Sequence, residues 1–128
     1  MSVRVEILHP QRLVKVVMEG QVRLQDMEEH FDAIVRGNAM GYAKLVDCTH
    51  AEPIYDDHDA LMMGARLSAY AATMPAGPLA VFGGTDEVNL AFARFVNLSP
   101  SRRPARLFKT EAKARAWLAL QQQEPPSS

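Results

Sequence analysis

Apolar and polar residues alternate from the start of the chain. Val3, Val5 and Ile7 share one side of a period-two pattern, which predicts a strand with one covered face. His9-Pro10 interrupts the pattern, and Leu13, Val14, Val16 and Val17 resume it as a second, more buried strand. So short a connection predicts an antiparallel pair. The period then lengthens: beyond Gly20, Met27, Phe31, Ile34 and Val35 recur at i, i+4, i+7 and i+8. This spacing predicts a helix from about Gln25 to Met40 that lays one apolar stripe on the sheet, with Gly37 and Gly41 at its frayed end.

The same reading continues to the C-terminus. "AKLVDC" is a buried strand, "DDHDALMMGARLSAYAAT" a helix, "LAVFG" a strand and "DEVNLAFARFVN" a helix whose buried face is Val88, Ala91, Phe92 and Phe95. Past the loop from Pro100 to Pro104, "ARLFK" is a fifth strand, and "TEAKARAWLAL" a last helix capped by Thr110 and anchored by Trp117 and Leu118. The expected order is β-β-α-β-α-β-α-β-α. Helices between successive strands imply right-handed crossovers, and so a mixed, mostly parallel five-stranded sheet with four helices in the α/β class. Residues 1–120 form the expected single domain, and the polar "QQQEPPSS" of 121–128 is expected to be a disordered tail.

Composition narrows the function classes. At 128 residues the chain is long enough for a core without staples, and 48% hydrophobic with 23% charged residues is ordinary globular usage. A net charge of -1 gives no global attraction to nucleic acid or anionic membrane. Cys48 is the sole cysteine, so no intrachain disulfide forms and a reducing, cytoplasmic setting is expected. No stretch reaches the length of a membrane span, and Met1 to Pro10 lacks the basic start and apolar run of a secretory signal.

The strand ending "LVD", the "FARFV" helix and the closing "ARLFKTEAKARAWL" resemble the SpoIIAA-like bacterial proteins, fold relatives of STAS anti-sigma antagonists and of CRAL-TRIO lipid carriers. The likeness covers roughly residues 5 to 120 and rests mainly on core pattern. It implies the SpoIIAA-like fold. It also implies a comparison at one helix start, where STAS antagonists carry a phosphorylatable serine: the matching stretch Asp56-Asp57-His58-Asp59-Ala60-Leu61 holds no serine or threonine. This departure from the family pattern argues against a kinase-driven switch, and Asp57 instead offers a permanent charge, smaller than a phosphate's and with fewer acceptor oxygens.

That stretch belongs to "LVDCTHAEPIYDDHD", which follows the third strand at the carboxyl edge of the sheet, where open α/β sheets usually bind ligands. The plainest reading is helix seating: Asp56 or Asp57 caps the helix, and Asp59 lies in its first turn beside the positive end of the dipole. A metal site would draw on Asp47, Cys48, His50 and His58, but their spacing fits no compact zinc pattern, and no metal is expected. A Cys48-His50 nucleophilic pair would share a direction only if the strand continued, and Thr-His reads as loop. No catalytic set and no cofactor are expected. In "FGGTDE", Asp86 and Glu87 would repel a phosphate in the first helical turn, so Thr85 reads as an N-cap.

The helix after the acidic cluster carries the functional expectation. At 100° per residue, Ala60, Leu61, Gly64, Leu67, Ser68, Ala71 and Ala72 gather on a side facing the sheet, and Met62, Arg66, Ala69, Tyr70 and Thr73 on the other. Met, Tyr and Arg are enriched at protein interfaces, so Met62, Arg66 and Tyr70 are candidate partner-binding residues, with Asp56, Asp57 and Asp59 as an acidic entry. Arg102, Arg103, Arg106, Lys109, Lys113 and Arg115 form a basic segment near the opposite edge, read as a solvated face rather than a nucleic-acid site. The expected function is a non-catalytic STAS-like regulatory or protein-interaction module, its partner another protein or a second copy. The alternative is a carrier or sensor of a small apolar ligand, with Met62, Met63 and Met74 lining its cavity. A third class, an enzyme using Cys48, His50 and His58, stands behind these.

Overall fold

The computed structural model describes residues 3–54, 56–72, 76–83, 85, 86, 88–90, 92, 93 and 104–123. Strands β1 (Val3–Leu8) and β2 (Leu13–Val22) form an antiparallel hairpin pairing Val3 with Met18 and Leu8 with Leu13. Its turn is closed by the Arg12 N–H donating to the His9 carbonyl at 3.1 Å, with Arg12 in the left-handed region at φ 52°. Helix α1 (Leu24–Arg36), strand β3 (Ala43–Pro53), helix α2 (Asp57–Ala71) and strand β4 (Leu79–Phe82) follow. The helical residues 86, 88–90, 92 and 93 are labelled α3, and strand β5 (Ala105–Phe108) and helix α4 (Glu111–Gln123) complete the order.

The sheet order is β1-β2-β3-β4-β5, with β2 to β5 parallel. Each crossover moves to the adjacent strand in the same direction, so right-handedness places α1, α2 and α3 on one face. Core packing agrees. Val14, Val16, Met18, Val46 and Val81 pack with Phe31, Ala60, Met63 and Val88 on that face. Ala43, Leu45, Ala80 and Phe82 turn to the other, where α4 supplies Ala114 and Leu118. The helix α4 follows the last strand and is free to fold back beneath. The Lys113 N–H donates to the Thr110 hydroxyl at 3.3 Å, the expected cap.

Three boundaries differ from the sequence reading. Helix α1 stops at Arg36 rather than Met40, because Gly37 closes it and Asn38 takes a left-handed φ of 56°. Strand β3 runs past Cys48 to Pro53, since β2 also continues and pairs Glu19 with His50 and Val22 with Pro53. The expected tail is helical to Gln123, and 124–128 lie outside the described residues. So do Met74, Ala91, Phe95, Arg102 and Arg103.

Candidate functional site

The entry to α2 is a reciprocal cap. The Asp59 N–H donates to Asp56 Oδ1 at 2.9 Å, and the Asp56 N–H donates to Asp59 Oδ2 at 3.2 Å. Two backbone donors that the helix leaves without an i−4 carbonyl are thereby satisfied. The Asp59 amide, with a smaller contribution from nearby His58, holds the Asp56 carboxyl below its ordinary range. The acidic cluster therefore seats a helix. Asp57 stands exposed in the first turn, and no group of three or more His, Cys, Asp or Glu among the described residues is placed to hold a metal ion.

A bulge in the β2–β3 pairing separates Cys48 from His50. Register shifts between Val17 and Glu19, which face Asp47 and His50, so β3 carries one more residue there than β2. Cys48 is buried, Thr49 and His50 are exposed, and Ala51 is buried again. The strand does continue, contrary to the loop reading, yet the bulge resets the alternation and turns the two side chains apart. The Asp47 carboxylate fixes the bend by accepting the Thr49 N–H at 2.9 Å. Burial, and secondarily the charge of Asp47, pushes the Cys48 thiol up to about 12. A thiol so disfavoured as thiolate is a poor nucleophile.

Helix α2 is rotated relative to the expected helical wheel. Met63 and Ala60 are fully buried and Gly64 is buried, whereas Leu61 is 51% exposed and Ser68 and Ala72 are exposed. Arg66 and Tyr70, expected on an outward face, turn instead to α1. One guanidinium nitrogen of Arg66 donates to both Asp32 oxygens at 2.8 and 2.9 Å, and the other donates to Glu28 at 2.9 Å. The Tyr70 hydroxyl donates to Asp32 Oδ1 at 2.7 Å. These bonds, Tyr70's first, hold the Asp32 carboxyl below its ordinary range, and Asp32 in turn raises the Arg66 pKa. A helical wheel places residues on a cylinder but cannot see that α1 supplies carboxylates at its side.

Past its first turn, where Asp57 and His58 are exposed, the outward side of α2 is apolar apart from Ser68. Met62 is 48% exposed, and Leu61, Ala65, Ala69 and Ala72 are exposed beside it.

Between the sheet and its helices lies a cavity of about 80 Å³. Met18, Met27, Met40, Phe31 and Val81 give it apolar walls, and His30 and Lys44 are the polar residues among its described lining. Met62 and Met63 are not among the lining residues, which corrects the expected methionine set: the methionines come from β2, α1 and the segment after α1. Lys44, within the expected buried strand "AKLVDC", is 3% exposed and its ammonium donates to the Met40 carbonyl. The available signal was its place inside the apolar run "AKLV", where any side chain facing the helices is covered.

No helix among the described residues is long and apolar enough to cross a membrane. The basic segment is exposed at Arg106, Lys109, Lys113 and Arg115, with Arg115 paired to Glu111 at 2.6 Å and Arg106 lying over the Phe108 ring.

The sequence matches no protein-family model and no curated protein. Its architecture is similar to two solved structures. One is a DUF3478-family protein with a SpoIIAA-like fold from Shewanella loihica PV-4, at TM-score 0.64 and 16% identity, covering 91% of this chain and 94% of that one. The other is the anti-sigma factor antagonist SpoIIAA in its unphosphorylated form, at TM-score 0.54 and 10% identity, covering 91% of this chain and 97% of that one. With five strands, four helices and this agreement in topology, the chain has a SpoIIAA-like fold.

Proposed function

We propose that the chain is a non-catalytic, STAS-like regulatory module that meets a protein partner through the outer flank of α2. The observation that carries this reading is the exposed pair Leu61 and Met62, continued by Ala65, Ala69 and Ala72, next to an acidic entry of Asp56, Asp57 and Asp59. A solvated flank would ordinarily be charged. The complementary partner carries an apolar groove with a basic rim. Arg66 and Tyr70 act in this reading by fixing the helix on α1, while Leu61 and Met62 enter the groove. Similarity to SpoIIAA, an anti-sigma factor antagonist, supports a partner of the regulatory kind.

The test is affinity capture from the cytoplasmic fraction of the source cell, followed by titration of the purified captured protein against three forms of the chain. Loss of binding in a Leu61→Asp, Met62→Asp double variant, with binding retained in Leu120→Asp, supports the reading. Equal binding by the double variant overturns it. Concentration-dependent self-association that the double variant abolishes would make the partner a second copy.

A second reading, favoured by the cavity, is a carrier or sensor of a small apolar molecule. Its apolar walls and its place between sheet and helices match the general character of small-molecule sites. Native mass spectrometry and thermal shift with short-chain apolar compounds test it, and an unliganded, unshifted protein removes it.

A further inference from the structure

We propose that β1 is a dimerisation edge, on which a second copy of the chain adds its own β1 antiparallel about a two-fold axis through Val5.

Strand β1 closes one side of the sheet, and among the described residues its six positions pair with β2 alone. The outer side of such a strand presents backbone donors and acceptors that another strand can take, unless lysine, proline or a bulge blunts it. None of these occurs in "VRVEIL", whose pairing with β2 runs without a register shift from Val3 to Leu8. The opposite edge, β5, has only four residues. Side chains of β1 divide by face. Val3, Val5 and Ile7 are half-buried on the face that α1 covers, and Arg4 and Glu6 are exposed on the other, where α4 packs on β3, β4 and β5.

Antiparallel self-pairing satisfies both faces at once. With the axis at Val5, Arg4 stands opposite the second copy's Glu6 and Glu6 opposite its Arg4, while Val3 meets Ile7 and Val5 meets its own counterpart on the apolar side. Opposite charges directly across two strands stabilise the pair, and like charges destabilise it. The charges also choose the register. An axis at Arg4 or at Glu6 would set arginine against arginine or glutamate against glutamate, and a one-residue slip would set charge against an apolar side chain. Arg4 can serve the new pair without leaving its present one: its side chain is 67% exposed, Nη2 donates to Glu19 Oε1 at 2.5 Å, and a guanidinium carries further N–H donors on its other nitrogens. Lys15, which faces Glu6 across the hairpin, then Glu6, the second copy's Arg4 and its Glu19 alternate in charge across the joined sheet. The same patch serves both copies, so assembly closes at the dimer. The contact uses neither Leu61 nor Met62 and is independent of the partner reading above.

The experiment follows the mass of the full chain by sedimentation equilibrium over a concentration series. It compares the wild type, Arg4→Glu, Glu6→Arg, an equal mixture of these two variants, and the double swap Arg4→Glu, Glu6→Arg. Expected is a reversible wild-type dimer, weakened at least about tenfold in each single variant, because each turns both cross-strand pairs into like charges. The mixture and the double swap, which restore opposite charges, should recover dimerisation. Neither a folding defect nor loss of the Arg4–Glu19 pair can produce that recovery. A wild type that stays monomeric to about 1 mM overturns the proposal, as it does if a strand of another protein is then found on this edge. A dimer that both single variants leave intact also overturns it. So does one that Leu61→Asp, Met62→Asp abolishes, which would move self-association to α2.

Discussion

The carboxylate of Asp32 on α1 receives both the guanidinium of Arg66 and the hydroxyl of Tyr70 from α2. Arg66 and Tyr70 are four residues apart, one helical turn, so a single acceptor can engage both. The result is a polar clasp between two helices whose apolar sides meet the sheet.

Breaking the clasp is expected to lower stability in a pH-dependent way. The Asp32 pKa is lowered below its ordinary 3.8 in the folded chain, first by Tyr70 and then by Arg66. The unfolded chain therefore binds the proton more readily. The clasp's contribution is complete above the unfolded value and fades as pH falls through the lower folded one. Asp32→Asn should reduce Tm by a few degrees at pH 7, with the gap to wild type narrowing below about pH 4. Parallel Tm curves across pH 3 to 7 would show that the pair contributes nothing through ionisation.

The reciprocal cap predicts a ranking at Asp56. Asp56→Ala removes the acceptor for the Asp59 amide and should lower Tm and helical circular dichroism. Asp56→Ser and Asp56→Asn, which keep an acceptor, should recover most of the loss. An alanine variant as stable as the serine variant would contradict the capping role.

Two neighbours on α2 should respond oppositely to truncation. Met63 is fully buried, so Met63→Ala is expected to cost about 2–5 kcal/mol in chemical denaturation. Leu61 is 51% exposed, and Leu61→Ala should stay within about 0.5 kcal/mol. The reverse order would return the helix to the orientation that its sequence spacing predicts.

Cys48 is expected to resist modification. It is 7% exposed and its thiol is pushed up to about 12, so thiol reagents at pH 8 should label the native chain far more slowly than the chain in denaturant. Equal rates would place Cys48 at the surface and reopen a nucleophilic role.

Gly77 tests close backbone packing. A Cβ there would collide with the main-chain carbonyls of Tyr42 and Gly41, and backbone cannot step aside as a flexible side chain can. Gly77→Ala should destabilise by about 1–3 kcal/mol, measured by urea unfolding, and wild-type stability would refute the contact.

The fold was legible because its signals are local and periodic. Alternation at Val14 and Val16 and the i, i+4, i+7 stripe of Met27, Phe31 and Ile34 report burial directly, and all five residues are buried. The Asp56 and Thr85 caps were legible for the same reason: each bonds an amide three residues ahead. The site was less legible because its determinants join distant segments. Nothing near Cys48 announces the bulge, which depends on β2 lengthening to meet β3. Nothing near Arg66 names Asp32, 34 residues earlier. Lys44 reads as a polar position in a strand until the helices that cover it are in place.

The sheet's sequential order also governs how the chain is made. Each strand lies beside its predecessor, so as a ribosome releases the polypeptide every new strand finds its docking edge already formed. No strand must wait for a later one to be inserted between finished neighbours. Assembly can proceed vectorially, with loop closures confined to one crossover at a time and little exposed edge awaiting distant sequence.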